Sequence, residues 1–177
     1  QGRIVNLMGR LQQQNESRAN DAGFVDGDRM GIYMVDYVNG QPGGLSPTDN
    51  RATNVLYTFN AAVNKWESAT ALYWKDKTTP ADFYGYYPGV NYIENPSAYS
   101  FEVSYQQHVV PEEGEMSHYE ASDFLWGKVS AVTPTTETIV LSYKHRMAGV
   151  SVKLVMGKNF TQTEWDKLSK QVQVDNT

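Results

Sequence analysis

The residues of this chain that could bind a metal ion are grouped in one short acidic stretch around His118. Four carboxylates surround that histidine in the sequence, those of Glu113, Glu115, Glu120 and Asp123. Imidazole nitrogen and carboxylate oxygen are ordinary ligands of Zn²⁺, and Ca²⁺ is bound by oxygen alone. The same composition is more typical of a solvated acidic loop, which we favour, and the oxygen-rich metal site is the alternative.

The other residues with possible chemistry carry weaker signals. Asp26 and Asp28 flank Gly27, but the spaced oxygen ligands of an EF-hand loop do not follow, so this tripeptide predicts a turn before a strand. His145 stands between two predicted strands and is interpreted as a structural turn or capping residue. His108 matches no zinc-ligand spacing with the other histidines.

Motifs for a nucleophile or a cofactor are missing from the sequence. The chain contains no cysteine, which excludes disulfides, thiolate metal sites and cysteine nucleophiles. The patterns G-x-S-x-G, G-x-x-x-x-G-K and G-x-G-x-x-G are missing as well. We therefore predict that the protein is not an enzyme and holds no cofactor. A hydrolase with two carboxylates paired by the fold is the weakest alternative.

Two tyrosines near the centre of the chain could contact a sugar. On a strand, Tyr84 and Tyr86 share one face, while Phe83, Gly85 and Tyr87 share the other. If the first pair is exposed beside acidic residues, it could stack on sugar rings. If both faces are buried, Gly85 permits the close approach of a neighbour. We favour burial, and a carbohydrate-binding module is the alternative function.

Length and charge narrow the class of protein. The chain has 177 residues and a formal net charge of −5, from 20 acidic and 15 basic residues. The two signs are interspersed, so no basic face for nucleic acid is visible. No apolar run approaches the ~18 residues that cross a bilayer. We predict a β domain over residues 1–157, with 1–23 as N-terminal strand and linker, and a helix with the start of a second β domain over 158–177.

Apolar residues alternate at period two along most of the chain, and turn signals separate the runs. The predicted strands cover residues 4–8, 30–37, 55–59, a segment through Trp66, 69–74, 81–87, 99–105, 139–143 and 150–156. Short strands at this spacing predict an all-β fold, an antiparallel β-sandwich.

One short C-terminal helix is predicted from a capping box. Thr161 and Glu164 stand at the spacing at which each side chain bonds to the backbone of the other. Phe160 and Trp165 stand at the positions of a hydrophobic staple. The helix is expected to end near Gln171.

Five short motifs follow one another along the chain. They are GDRMGIY at 27–33, ALYW at 71–74, FYGYYP at 83–88, SDFL at 122–125 and LSYKHRMA at 141–148. In this order they resemble the N-terminal domain of the Bacteroidales fimbrillin-like proteins, the subunits of strand-exchange surface pili. The resemblance extends from about Arg18 to Met156 and implies a transthyretin-like β-sandwich.

The resemblance also implies how the protein assembles. Fimbrillin-like proteins are made as lipoproteins, carried to the outer membrane and cleaved there to remove an N-terminal strand. A strand from the next subunit then fills the opened groove by β-augmentation. Carried over to this sequence, the candidate removable strand consists of Ile4, Val5, Asn6, Leu7 and Met8. The candidate processing site is Arg18 in the polar linker, and an ordinary surface arginine is the alternative.

The expected partners follow from the same resemblance. They are other pilus subunits, joined by strand addition, and a host or bacterial surface ligand, with no nucleic acid. The expected location is the fimbrium at the cell surface, and the precursor alone would be attached to the outer membrane by a lipid anchor. Family members usually carry a second β domain with the donor strand. This sequence ends about where that domain would begin, so we expect a fragment that can receive a strand and has none to donate.

Overall fold

The structure, a computed structural model, describes residues 2–12, 23–104, 121–147 and 155–167. Its strands are β1 (Asn6–Leu11), β2 (Arg29–Val38), β3 (Gln41–Pro42), β4 (Ala52–Asn60), β5 (Lys65–Glu67), β6 (Ala81–Tyr87), β7 (Leu125–Val132) and β8 (Thr138–His145). A 3₁₀ turn covers Pro96–Ala98, and the helix α1 covers Gln162–Lys167. The chain divides into two compact units, Gln1–Met147 with these strands and Ala148–Thr177 with α1. The assignment of 1–157 and 158–177 as domains stays a prediction.

The main sheet is antiparallel, with β6 and β2 at its centre. Its strand order is β7-β6-β2-β4-β5, and the short β3 pairs with the end of β2. Most positions of β2 and β6 are buried on both faces, because apolar residues occupy nearly all of them. This central position explains why the sequence pattern predicts the bounds of β6 and most of β2.

A smaller layer covers one face of the main sheet. β1 pairs in parallel with β8 along its whole length. The residues just before β1 bond to residues 72–74, with Val5 N donating to Leu72 O over 2.9 Å. At its C-terminal end β8 pairs with β7, where Leu125 lies opposite His145. β8 thus belongs to both layers, and the predicted β-sandwich is confirmed.

One strand pair differs from the predicted antiparallel arrangement. β1 and β8 run in the same direction, so the eight-stranded sheet is mixed. A parallel pair needs a long crossover connection, and the whole of β2 to β7 lies between these two strands in the sequence. The transthyretin-like topology implied by the resemblance stays an expectation.

Two clusters of buried side chains lie on opposite faces of the main sheet. The inner cluster lies between the main sheet and the small layer, and its members with no exposed surface are Met30, Ile32, Met34, Ala81, Phe83, Leu141 and Tyr143. The outer cluster lies on the other face, and its buried members are Tyr33, Tyr86 and Ile93. Loop residues such as Leu45, Val90 and Tyr99 pack on the outer cluster. The strands of the small layer therefore cover the inner cluster, together with the non-strand residues Phe24, Leu72 and Trp74, and loops pack on the outer cluster.

Two predicted strands are wrong, and two observed strands, the short β3 and β7, are missing from the prediction. Residues 69–74 form a single bridge between Ile4 and Tyr73, and residues 99–104 form no strand. Their apolar side chains alternate because they pack on a core, and packing does not require a paired backbone. β7 has no predicted counterpart, because its second half is largely exposed and lacks a clear alternation.

α1 begins as the capping box predicts. Thr161 N donates to Glu164 Oε2 over 2.9 Å, and Glu164 N donates to Thr161 Oγ1 over 3.3 Å. The rings of Phe160 and Trp165 lie 6.4 Å apart, so the staple is confirmed as well. Among the helices of the described ranges, none has the length and apolar character to cross a bilayer.

Several predicted features lie outside the described residues. They are Arg18, the acidic stretch with His108 and His118, the strand residues 150–154, and the helix between Lys167 and Gln171. These predictions stay predictions.

Candidate functional site

β1 lies in a groove between the two ends of the sheet. β8 pairs with one side of β1. β5 stands at the other end of the strand order and approaches the opposite side, where the Trp66 indole N–H donates to the Gly9 carbonyl over 3.2 Å. After the strand, Gln12 N donates to Tyr143 O over 2.8 Å. We call the space that β1 fills the groove, and β8 and β5 are its walls.

The side chains of β1 alternate between the groove and solvent. Val5, Leu7 and Leu11 point inward and pack with the inner cluster. Ile4 and Met8 point outward and keep 48% and 42% of their surface exposed. The predicted segment of residues 4–8 therefore lies in the small layer with the two faces that its alternation predicts, and the observed strand continues to Leu11. That this strand is removed stays a prediction.

The floor of the groove is formed by a tyrosine that lies between two glycines. A Cβ atom on Gly9 of β1 would stand 2.9 Å from Tyr143 Cε2, well inside contact distance. On the far side of the ring, a Cβ atom on Gly85 of β6 would overlap Tyr143 Oη. The tyrosine therefore reaches from β8 across the inner cluster only because neither neighbour has a side chain.

The hydroxyl of this tyrosine is fully buried. Burial raises the pKa of the Tyr143 phenol far above its usual value, because the charged form would lose its hydration. The neutral hydroxyl donates to Met30 Sδ over 3.0 Å. The rings of Phe24 and Tyr143 lie 6.0 Å apart, edge to face. The floor of the groove is therefore a packed surface with fixed positions.

Polar side chains along the outside of β1 bond to the segment around β8. Arg3 Nη1 donates to Pro134 O over 2.8 Å, and Asn6 Nδ2 donates to Thr136 O over 3.0 Å. Both bonds are exposed, so water competes with them and their net contribution is small. They align β1 with β8, and the buried face supplies most of the stabilisation.

His145 is placed where β8 enters the main sheet. Its Nδ1 lies 2.7 Å from Asp123 Oδ2, and only 12% of the histidine side chain is exposed. In the next positions Arg146 N donates to Phe124 O over 2.8 Å, and the Arg146 guanidinium lies 5.1 Å from the centre of the Trp126 ring. The interpretation of His145 as structural therefore fits, although the residue ends a strand and does not form a turn.

The acidic tripeptide at residues 26–28 forms the predicted turn. Asp28 Oδ2 accepts from Val25 N over 2.8 Å, and Asp28 Oδ1 accepts from the Tyr87 hydroxyl over 2.9 Å. Gly27 has a φ of +86°, which suits a residue without a side chain. In the part of the chain that the structure describes, no three His, Asp or Glu residues converge as metal ligands would.

The two tyrosines proposed to stack on a sugar are placed on the outer face of the sheet. Tyr86 belongs to the outer cluster, with 5% exposure, and donates to Asn54 Oδ1 over 2.6 Å. The Lys128 ammonium lies 4.7 Å from the centre of the half-buried Tyr84 ring. The pocket beside them has a volume of about 30 Å³, which is space for one or two water molecules and not for a sugar ring. The carbohydrate-binding alternative therefore rests on Tyr84 alone.

The residues that shape the groove were not predicted from the sequence. Gly9 interrupts the inward series Val5, Leu7 and Leu11, and a glycine at such a position can indicate a close approach by another residue. The identity of that residue, Tyr143, has no local signal, because β8 is distant in the sequence. The same holds for Trp66, whose indole faces the groove from β5.

Comparisons with known proteins agree with the sandwich. The family model described as fimbrillin-like matches residues 17–177, which include each of the strands after β1. A comparison with curated protein sequences gives no match.

Three solved structures have a similar fold. A candidate cell adhesion protein of Bacteroides uniformis has a TM-score of 0.51 at 21% identity, over 81% of this chain and 47% of its own. A fimbrial protein of Bacteroides ovatus has a TM-score of 0.50 at 18% identity, over 82% of this chain and 29% of its own. A candidate cell adhesion protein of Bacteroides ovatus has a TM-score of 0.50 at 14% identity, over 82% and 53%. The chain thus spans about half or less of these proteins, and likeness at this level of identity concerns the fold.

Proposed function

The chain belongs to the fimbrillin-like family, and from that premise we propose that it is a structural or adhesive subunit of a bacterial surface pilus, assembled by strand exchange at β1. In this proposal, cleavage of the linker, with Arg18 as the candidate site, releases β1. A strand of the next subunit then occupies the groove. Adhesion to a host or bacterial ligand and attachment of a lipidated precursor to the outer membrane belong to the same proposal.

The observation that supports the proposal most is that β1 is a separable part of the inner cluster. It supplies Val5, Leu7 and Leu11 to that cluster from the groove between β8 and β5. A single cut between Gln12 and Gly23 would separate it covalently from β2 and the strands that follow. None of the main-sheet strands could be removed in this way.

Loss of β1 would leave specific groups without partners. β8 would present an open edge from Thr138 to Tyr143, where β1 now pairs. The Trp66 indole N–H would lose its carbonyl acceptor and face water instead. The apolar floor would face water. An extended strand with alternating apolar residues can restore all of these contacts, as β-augmentation does elsewhere.

The test uses the full chain with a site-specific protease sequence in place of part of residues 13–22. A donor chain carries a copy of residues 2–12 after Thr177 on a flexible linker. A donor chain that is also cut has both a groove and a strand to donate, so cut donor chains should form linear multimers, seen by light scattering and electron microscopy, and a cut chain without the added strand can only end a multimer. The uncut chain is the control and should stay monomeric. Cut chains that keep β1 and stay monomeric at every temperature below unfolding would overturn the proposal.

A further inference from the structure

We propose that the groove selects its occupant by a glycine: it accepts a strand parallel to β8 in which apolar residues alternate and glycine stands opposite Leu141. In β1 this pattern is Val5, Leu7, Gly9 and Leu11, and Gly9 is the residue opposite Leu141. The inference rests on the proposed function, because it describes which strands can enter the same site.

The space around Gly9 is too small for a side chain. A Cβ atom at Gly9 would stand 2.9 Å from Tyr143 Cε2, 3.1 Å from Met30 Sδ and 3.3 Å from Trp66 Nε1. Three groups from three strands therefore close on one point, and each distance is shorter than ordinary van der Waals contact. Even an alanine would require one of them to move.

The side chains around Gly9 cannot move easily. Tyr143 and Met30 have no exposed surface, and the tyrosine hydroxyl donates to the methionine sulfur. Behind the ring stands the backbone of β6 at Gly85, so close that a Cβ atom there would overlap the hydroxyl. Interiors packed at this density resist an added methyl group.

The neighbouring inward positions of β1, unlike Gly9, hold large side chains. Val5, Leu7 and Leu11 have large side chains, and all pack with the inner cluster. A shift of the strand by two residues would place Leu7 or Leu11 against Tyr143, and a shift by one would turn the apolar face to solvent. The glycine thus sets the register, and the Trp66 indole completes it by bonding to the Gly9 carbonyl.

The experiment uses the cut chain described above and three synthetic peptides of residues 2–12. They are the natural sequence, Gly9→Ala, and Met8→Ala as the matched control, since Met8 points outward and is 42% exposed. Each fluorescent peptide competes with β1, and anisotropy gives its affinity. We expect Gly9→Ala to bind about tenfold or more weakly than the natural peptide, which is about 1.4 kcal/mol or more. Met8→Ala should bind within about threefold.

The outcomes separate the two proposals. If the natural and Gly9→Ala peptides bind equally, the glycine rule is overturned and strand exchange stands. If no peptide enters, strand exchange fails, and the glycine rule is then decided in the uncut chain. There Gly9→Ala should speed amide hydrogen exchange in β1 about tenfold or more, and Met8→Ala should not. Equal exchange in these two variants would overturn the rule.

Discussion

The inner and outer clusters are both rich in aromatic rings, yet different kinds of segment cover them. In the inner cluster, Phe24 and Trp66 pack with ring centres 4.8 Å apart, and in the outer cluster, Tyr86 and Tyr99 lie 5.9 Å apart. Strands β1 and β8 cover the inner cluster. Loop residues such as Val90 cover the outer one.

This difference shows what decides whether a strand of another subunit can replace a segment that covers a core. It is the structure of the covering segment, and not how apolar the core is. β1 contributes a regular row of backbone bonds and one apolar face, which another strand can reproduce. The loop over the outer cluster follows β6 directly and makes irregular contacts, such as the bond from Asn54 Nδ2 to Val90 O. A foreign strand could not reproduce contacts of that kind. We therefore expect exchange at the inner face alone.

The largest expected effect is that of Tyr143→Ala. Removing this fully buried ring should lower the free energy of unfolding by about 3–5 kcal/mol, measured by urea denaturation. Hydrogen exchange should rise most in β1, because the floor of the groove is lost. Tyr33→Ala in the outer cluster is the control, since it should destabilise the chain without selectively opening β1. If hydrogen exchange rose equally in all strands of both variants, the expected difference between the inner and outer clusters would be contradicted.

A disulfide between Met8→Cys and Val140→Cys should have the next largest effect. These residues face each other in the parallel pair, at a spacing that a disulfide can bridge. The chain has no cysteine of its own, so no wrong pairing is possible within it. The bond should stabilise the chain by about 2–4 kcal/mol and abolish peptide entry into the cut chain. Reductant should restore entry, and entry into the oxidised form would show that β1 need not leave.

Acid should weaken the main sheet through Asp82. Burial raises the pKa of this carboxyl, but bonds from Ala131 N and Lys128 and the lysine charge outweigh burial and hold the pKa below its usual value. A carboxyl whose pKa is lowered in the folded state stabilises the fold at pH values above its unfolded pKa of about 3.9. This stabilisation is lost as the pH falls through the folded-state pKa. The free energy of unfolding should therefore drop below about pH 4.

The control for this pH dependence is Asp82→Asn. It should be less stable than the parent at pH 7, and it should lose less on going to pH 3, as urea denaturation at both values would measure. Because Asp82 faces the outer side of the sheet, beside Tyr84 and Lys128, acid should not open β1 selectively. If the free energy of unfolding of the variant fell with pH as steeply as that of the parent, Asp82 would be excluded as the source of the acid sensitivity.

The smallest expected effect is at the point where β8 joins the main sheet. Asp123→Ala removes the partner that lies 2.7 Å from His145 Nδ1, and a partly exposed pair of this kind contributes about 1 kcal/mol. The measurement is again urea denaturation, with the exposed Lys144→Ala as control. Because the pair lies beyond the stretch of β8 that pairs with β1, peptide entry should be unaffected. A large fall in peptide affinity would mean that the groove extends to this junction.

Local patterns were sufficient for the strands whose two faces are both buried. The alternation around Phe83 and Gly85 predicts β6 with its bounds, and the capping box of Thr161 and Glu164 predicts the start of α1. The same reasoning fails at residues 72–74, where the side chains of Leu72 and Trp74 are buried although the backbone makes only a short pairing. Alternation reports which side chains are buried, and it does not report which backbone groups are paired.

The sequence alone was enough to establish the all-β class, the resemblance to the fimbrillin-like family and the two faces of residues 4–8, because each depends on neighbouring residues or on motif order. Folding was needed to reveal the parallel pairing of β1 with β8, the position of Tyr143 between Gly9 and Gly85, and the contact of Asp123 with His145. These features join residues that are far apart along the chain. No periodicity within one segment can name its partner, since partner choice is decided by how all the segments pack together.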